Sequence, residues 1–186
     1  MDKKRRLMFA SDVHGSAYYC DRMLECYQKE GAERLWLLGD ILYHGPRNDL
    51  PKEYAPKKVI AMLNEVKREL CAVRGNCDTE VDQMVLEFPI LADYALLELE
   101  NLRIYATHGH IYHEQHMPPL LDGDILIHGH THLYEAKRAG AQVILNPGSV
   151  SIPKGGNPPT YAVLEDGMFL IRDLEGNSLL EFDCRI

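Results

Sequence analysis

The segment Leu7-Met8-Phe9-Ala10-Ser11-Asp12-Val13-His14-Gly15 sets four apolar residues in a row and then stops them at a polar turn closed by glycine. A run so short and so apolar reads as a strand buried on both faces. Ser16 follows as an N-cap for a helix that carries Met23, Leu24 and Tyr27 at helical spacing and ends at Gly31. Arg34 to Leu38 make a second buried strand, which stops at Gly39-Asp40. This start predicts a β-α-β unit, whose crossover returns the chain in the same direction and makes its two strands parallel.

Beyond that unit, a loop of turn formers from His44 to Pro51 leads to a predicted helix over Ala55 to Arg68, with Val59, Met62, Leu63 and Val66 facing inward. Leu70 to Val73 form a third strand, again halting at Gly75-Asn76. From Tyr94 the character changes. Tyr94 to Leu99 and Leu102 to Thr107 predict a hairpin, and strands follow at 125–127, 134–138, 143–145, 161–164, 168–171 and 179–182. Alternating strands and helices followed by a run of strands predict two sheets face to face with helices outside. No repeat, linker or low-complexity tract interrupts the chain, so residues 1–186 are expected to form a single domain.

Composition narrows the function classes. With 46% hydrophobic and 26% charged residues the chain is an ordinary globular sequence. A core of this size buries roughly 70% of the unfolded surface, so a metal is not needed merely to fold. Lys and Arg number 20 against 28 Asp and Glu, a net charge of −8 that disfavours long nucleic acids. The basic start, Met1 to Arg6, reads as a strand lead-in rather than a signal peptide, and no apolar run approaches the ~18 residues of a membrane helix. Five cysteines without a C-x-x-C pair fit a reducing cytoplasm better than a disulfide framework or a zinc ribbon. Nine histidines are the anomaly, and His108, His110, His113, His116, His128, His130 and His132 crowd one stretch.

Asp12-Val13-His14, Gly39-Asp40, Gly75-Asn76, His108 and His130-Thr131-His132 all sit just past predicted strand ends, the edge at which an open α/β sheet binds ligands. Oxygen and imidazole donors without thiolates suit Mn²⁺, Fe²⁺ or Zn²⁺ rather than Ca²⁺. If the loops are extended, positions i and i+2 point the same way, so Asp12 with His14 and His130 with His132 are each expected to converge. Glycines beside Asp40, Asn76, His108 and His130 let backbone approach a crowded centre.

These motifs resemble those of the calcineurin-like metallophosphoesterases: D-x-H at Asp12-Val13-His14, G-D at Gly39-Asp40, G-N-x-D at Gly75-Asn76-Cys77-Asp78, then His108 and G-H-x-H at Gly129-His130-Thr131-His132. With Asn146-Pro147-Gly148-Ser149 and the short chain, the sequence is similar to the small bacterial YfcE-type phosphodiesterase subfamily. The resemblance implies a four-layer αββα double β-sandwich. It implies two divalent ions per chain, Mn²⁺ first with Zn²⁺ or Fe²⁺ as alternatives, one held by Asp12, His14, Asp40 and His132 and the other by Asp40, Asn76, His108 and His130. Asp40 would bridge them, and a hydroxide shared between the ions would attack a small phosphodiester in line. Asp40, Asn76 and Cys77 are the expected catalytic positions. Most of the family carries histidine where Cys77 stands, and a thiol beside two dications tends to lose its proton, so leaving groups that need protonation should react slowly.

Among the remaining residues, Arg47 and His110 are expected near substrate, Arg47 as a phosphate clamp and His110 as an orienting neighbour of His108. His44, His113 and His116 read as solvated surface residues, His128 as a core histidine bonded to backbone, and Asp78 as an N-cap for residues 79–84. A phosphomonoesterase and a non-catalytic scaffold of the same fold remain as alternatives. The expected partner is a small phosphoester, with no long nucleic acid and no membrane; a homodimer or homotetramer is compatible with this reading.

Overall fold

The computed structural model describes residues 5–99 and 101–185. The expected strand lead-in lies outside the described residues in its first four positions. The parallel unit forms as read: β1 (Arg6–Ala10) and β2 (Arg34–Leu37) run parallel with Leu7 opposite Arg34, and α1 (Ala17–Glu30) connects them. The Ser16 hydroxyl caps α1 by accepting from the Tyr19 backbone N–H, and Gly31 ends it at φ 60°. After α2 (Pro56–Glu65) the chain takes one 3₁₀ turn (Lys67–Glu69) and enters β3 (Leu70–Ala72), parallel to β2. The helix expected to reach Arg68 thus stops at Glu65, because the chain tightens there to enter the sheet.

The short α3 (Glu80–Gln83) precedes β4 (Tyr94–Leu99), β5 (Leu102–Thr107), β6 (Ile125–Ile127), β7 (Tyr134–Ala139), β8 (Gln142–Pro147), β9 (Thr160–Glu165), β10 (Met168–Asp173) and β11 (Ser178–Asp183). They complete two mixed sheets, one ordered β11-β10-β9-β1-β2-β3 and one β4-β5-β6-β8-β7. In the second sheet β6 lies parallel to both β5 and β8. Among the described residues no helix is long and apolar enough to cross a membrane.

Alternation along β1 explains the layering. Leu7 and Phe9 enter the core between the sheets with Leu38, Ile104, Ile125, Ile127, Val143 and Phe169, whereas Met8 and Ala10 face the helices with Met23, Tyr27, Val59 and Leu63. Both faces are covered, which is why the strand reads as one apolar run. The outer face of the second sheet carries Tyr105, Leu126 and Ile144 beneath Tyr112, Met117 and Leu120. These belong to segment 108–124, an ordered coil that serves as the fourth layer.

Five strands in two sheets, β1, β2, β3, β5 and β6, end on one common edge. The core between the sheets therefore sets the distances across it. Phe9 is fully buried there and stacks on Trp36 with ring centroids 6.4 Å apart. Phe9→Ala is expected to destabilise the protein by about 3–5 kcal/mol, against ~1 kcal/mol for removing the helix cap with Ser16→Ala; denaturant unfolding of both variants checks the ranking.

Candidate metal centre

The side chains at the common edge stand on unusual backbone. Asp12, His14, Asp40, His130 and His132 all have positive φ, between 49° and 65°. Non-glycine residues rarely adopt this left-handed region, and such strain concentrates at functional sites. Of the two expected i, i+2 pairs, Asp12 and His14 converge, Oδ1 to Nε2 at 3.5 Å, whereas His130 turns to His108 and His132 to Asp12 and His14; the extended-loop reason fails for both, because both members of each pair are left-handed.

Neighbouring loops hold the strained residues. Asp78 accepts from the backbone N–H groups of Gly75, Asp40 and Ile41 at 2.7–2.9 Å. The expectation that it caps residues 79–84 is therefore corrected: Thr79 caps α3, in a capping box with Asp82, while buried Asp78 ties the Asp40 loop to the Gly75 loop. Ser149 and Ser151 hydroxyls both donate to the Asp12 carbonyl at 3.0 Å, and Asn146 Nδ2 donates to the Gly129 carbonyl at 2.9 Å. Sequence reasoning missed these three braces, although the Asn146-Pro147-Gly148-Ser149 run was their visible trace. The glycines are required by contact: a Cβ on Gly75 would overlap Asp40, and one on Gly129 would overlap Ser11.

Within this frame each carboxylate has one oxygen fixed and one offered. Asp12 Oδ2 accepts from the His130 N–H at 3.0 Å, while Oδ1 lies 3.2 Å from His132 Nε2 and 3.5 Å from His14 Nε2. Asp40 Oδ1 accepts from the Cys77 N–H at 2.8 Å, while Oδ2 lies 3.5 Å from His108 Nε2 and 3.7 Å from His14 Nε2. Asn76 Oδ1 stands 3.1 Å from His108 Nε2, and His130 Nδ1 stands 3.3 Å from the same nitrogen.

A metal fits this arrangement. His14, His108 and His132 place Nδ1 2.6–2.7 Å from the carbonyls of Tyr43, Leu38 and Ile152. A carbonyl only accepts, so these Nδ1 atoms carry the protons and the Nε2 atoms present lone pairs. His14 Nε2 then faces His132 Nε2 at 3.3 Å, and buried Asp12 Oδ1 has no hydrogen-bond donor among the described residues. Acceptors directed at acceptors are satisfied by a cation. The groups Asp12–His14–His132 and Asp12–Asp40–His108 each bring their donor atoms within 4.8 Å of one another, as does His14–Asp40–Cys77.

The protein's own field prepares this. Burial alone would push Asp12 up, but His132 and His14 hold it well below the usual carboxylate range. Burial is likewise outweighed at His108, which Asp40 and Asp12 raise to about 9, so protons occupy the space that a cation would take. His130 is lowered to about 4 by burial and by His108. The Cys77 thiol is pushed up by burial and then by Asp40, so a drive for its deprotonation has to come from ions and not from the surrounding protein.

The remaining residues separate clearly. Arg47 is exposed and lines the mouth of the centre, a cavity of about 490 Å³, with Cys77 and Lys154. His110 lies behind this mouth, its ring 5.4 Å from that of His108, in a separate cavity with His128 and His130. His128 is buried with Nδ1 3.1 Å from the Gly129 carbonyl, as expected. His44 departs from its solvated reading: its ring packs against those of Tyr43 and Tyr54 at 4.8 and 5.1 Å, with Nδ1 buried. His113 and His116 exchange backbone hydrogen bonds in a turn away from the mouth.

Two mixed sheets carrying carboxylates and imidazoles on one shared edge define a metallophosphoesterase. Residues 6–166 match the calcineurin-like phosphoesterase superfamily domain; the chain belongs to that superfamily and is a phosphoric ester hydrolase. It is similar to phosphodiesterase YfcE of Escherichia coli (strain K12), at 50% identity over 94% of this chain and 95% of that protein. The solved structure of the E. coli YfcE phosphoesterase superposes with a TM-score of 0.94 at 48% identity, covering 97% of this chain and 100% of that one. Vacuolar protein sorting 29 from Cryptosporidium parvum shares the fold alone, with a TM-score of 0.62 at 18% identity, covering 98% of this chain and 100% of that one.

Asp40 offers one oxygen to histidines of both sets, whereas the Asn76 side-chain oxygen faces His108 of one set. Asp40→Asn is therefore expected to lower metal content more than Asn76→Ala does. Elemental analysis of protein purified without chelator reads the difference; equal losses in the two variants would count against a shared Asp40.

Proposed function

We propose that the protein is a phosphodiesterase that hydrolyses small phosphate esters in the cytoplasm with two divalent ions, Mn²⁺ first and Zn²⁺ or Fe²⁺ as alternatives. The observation that carries this reading is Asp40 Oδ2 facing both His14 and His108. Asp12, His14, Asp40 and His132 would hold one ion, and Asp40, Asn76, His108 and His130 the other. Ions held there would supply positive charge to a phosphoryl group and would activate water for in-line attack on phosphorus. The likeness to a relative named a phosphodiesterase supports diesters over monoesters.

The chain's own groups do the rest. Asp12 and Asp40 neutralise only part of two divalent charges, which keeps the centre attractive to one phosphoryl group while the acidic protein repels a long polyanion. Arg47 and Lys154 at the mouth present a guanidinium and an ammonium to phosphate oxygens. His110, packed beside His108 and His130, orients these rings. Asn76 Nδ2 donates to Cys77 Sγ at 3.2 Å, holding the thiol at the mouth. A thiol among carboxylates is a weak proton donor, so leaving groups that depart unaided as anions are favoured.

Turnover of bis-aryl phosphate, aryl phosphate and cyclic nucleotide by metal-stripped protein, with each ion added back, tests this reading. The bis-aryl diester with Mn²⁺ is expected to be fastest, and a faster monoester would favour the phosphatase alternative. Replacing Cys77→His should speed esters with poor leaving groups most, by up to ~10²–10⁴-fold, and aryl esters least. The slope of rate against leaving-group pKa for both proteins, with metal content matched, checks this; parallel lines would remove Cys77 from the chemistry.

A further inference from the structure

A second cavity adjoins the metal centre and differs from it in character. It holds about 410 Å³ and is walled by Tyr43, Tyr54, Ile60, Val81, Val85 and Cys77. Cys77 also lines the mouth of the centre, so the two spaces meet at its side chain. Tyr43, Val81 and Val85 are large apolar residues left exposed, at 42%, 68% and 42% of their surface, and they gather in this one place. Such a patch beside a polar site marks a surface that binds something apolar.

The walls are fixed relative to the centre. The Tyr43 carbonyl accepts from His14 Nδ1 at 2.7 Å. The Tyr54 ring lies so close on Gly15, next to His14, that a Cβ there would stand 2.6 Å from it. His44 packs against both tyrosine rings. The charges are also divided: Arg47 and Lys154 are at the mouth, whereas among the described residues the one carboxylate lining the groove is that of Asp82. An anionic phosphoryl group is drawn to the mouth and a second anionic group is repelled from the groove.

We propose that this groove receives an uncharged apolar or aromatic substituent of the phosphoester, and thereby selects aryl-substituted esters over small alkyl or multiply charged ones. The proposal rests on the function proposed above for the centre and adds the class of organic group joined to phosphorus. Continuity through Cys77 makes the substituent, rather than a separate ligand, the occupant: a group bonded to phosphorus at the mouth lies one side chain from the groove.

The test is equilibrium binding, independent of turnover. Methyl-, phenyl- and 1-naphthylphosphonate, which cannot be hydrolysed, are titrated calorimetrically into the Mn²⁺-loaded protein. Affinity is expected to rise by at least about tenfold from methyl to naphthyl, as burial of apolar area requires. V81S/V85S, which removes two exposed apolar walls, should flatten this gradient while leaving methylphosphonate affinity within about twofold; V85W, which fills the groove, should do the same. Equal affinities across the series, or a gradient that survives both variants, would overturn the proposal. So would a flat series with a change of oligomeric state in V81S/V85S, which would assign the face to a second copy of the chain. Diester hydrolysis measured in parallel keeps the two readings apart: a gradient without turnover supports the groove and counts against the phosphodiesterase, and turnover with a flat series does the reverse.

Discussion

Asp12 Oδ1 and the Nε2 atoms of His14 and His132 are acceptors turned toward one another inside the protein, and that opposition is the constraint on which the rest of the structure depends. Burial removes the water that would otherwise satisfy them. Each ring is locked by a carbonyl on its far side, so none can turn away to find a donor. A cation resolves the conflict, and protons resolve it in part, which is why His14 is drawn up against its burial by Asp12 while Asp12 is held down.

Holding such a cluster together takes backbone that the chain would not choose for itself. Asp12, His14, Asp40, His130 and His132 each occupy left-handed conformations that cost of order 1 kcal/mol or more per residue. The compensation is distributed: Asp78 collects three backbone N–H groups, two serines grip the Asp12 carbonyl, and Asn146 binds the loop beneath His130. Asp78 and Asn146 each tie loops of one sheet, whereas Ser149 and Ser151, which follow β8, grip the loop after β1 in the other, so Asp12 is held only where both sheets already meet. Rigid packing between Phe9, Ile125, Ile127 and Phe169 supplies that meeting.

Because the centre lies on an edge shared by two sheets, its surroundings differ on either side. Toward Arg47 and Lys154 the surface is polar and cationic; toward Tyr43, Tyr54 and Val81 it is apolar. Cys77 stands at the boundary, tied by its N–H to Asp40 and by its sulfur to Asn76. Its surroundings raise the thiol through burial first and carboxylates second, so charge chemistry at this position depends on what the neighbouring cluster holds.

The strands, the parallel β-α-β start and the residues brought to the common edge were legible along the chain alone. Those features rest on local physics: apolar runs that must be buried, Ser16 and Gly31 at helix ends, and polar residues that cannot continue a strand. Tertiary structure decided how the edge is built. Left-handed φ values at Asp12 and His130 cannot be read from residue types that seldom adopt them. Asp78 looked like a helix cap because its neighbours along the chain suggested one, whereas the N–H groups of Asp40 and Ile41 that claim it lie 38 and 37 positions away. His44 looked solvated for the same reason, since Tyr54 reaches it only through the fold. The apolar groove has no sequence signal at all, because its walls come from residues 42 to 85 and become a surface only when the loops beside the strand ends meet the helices α2 and α3.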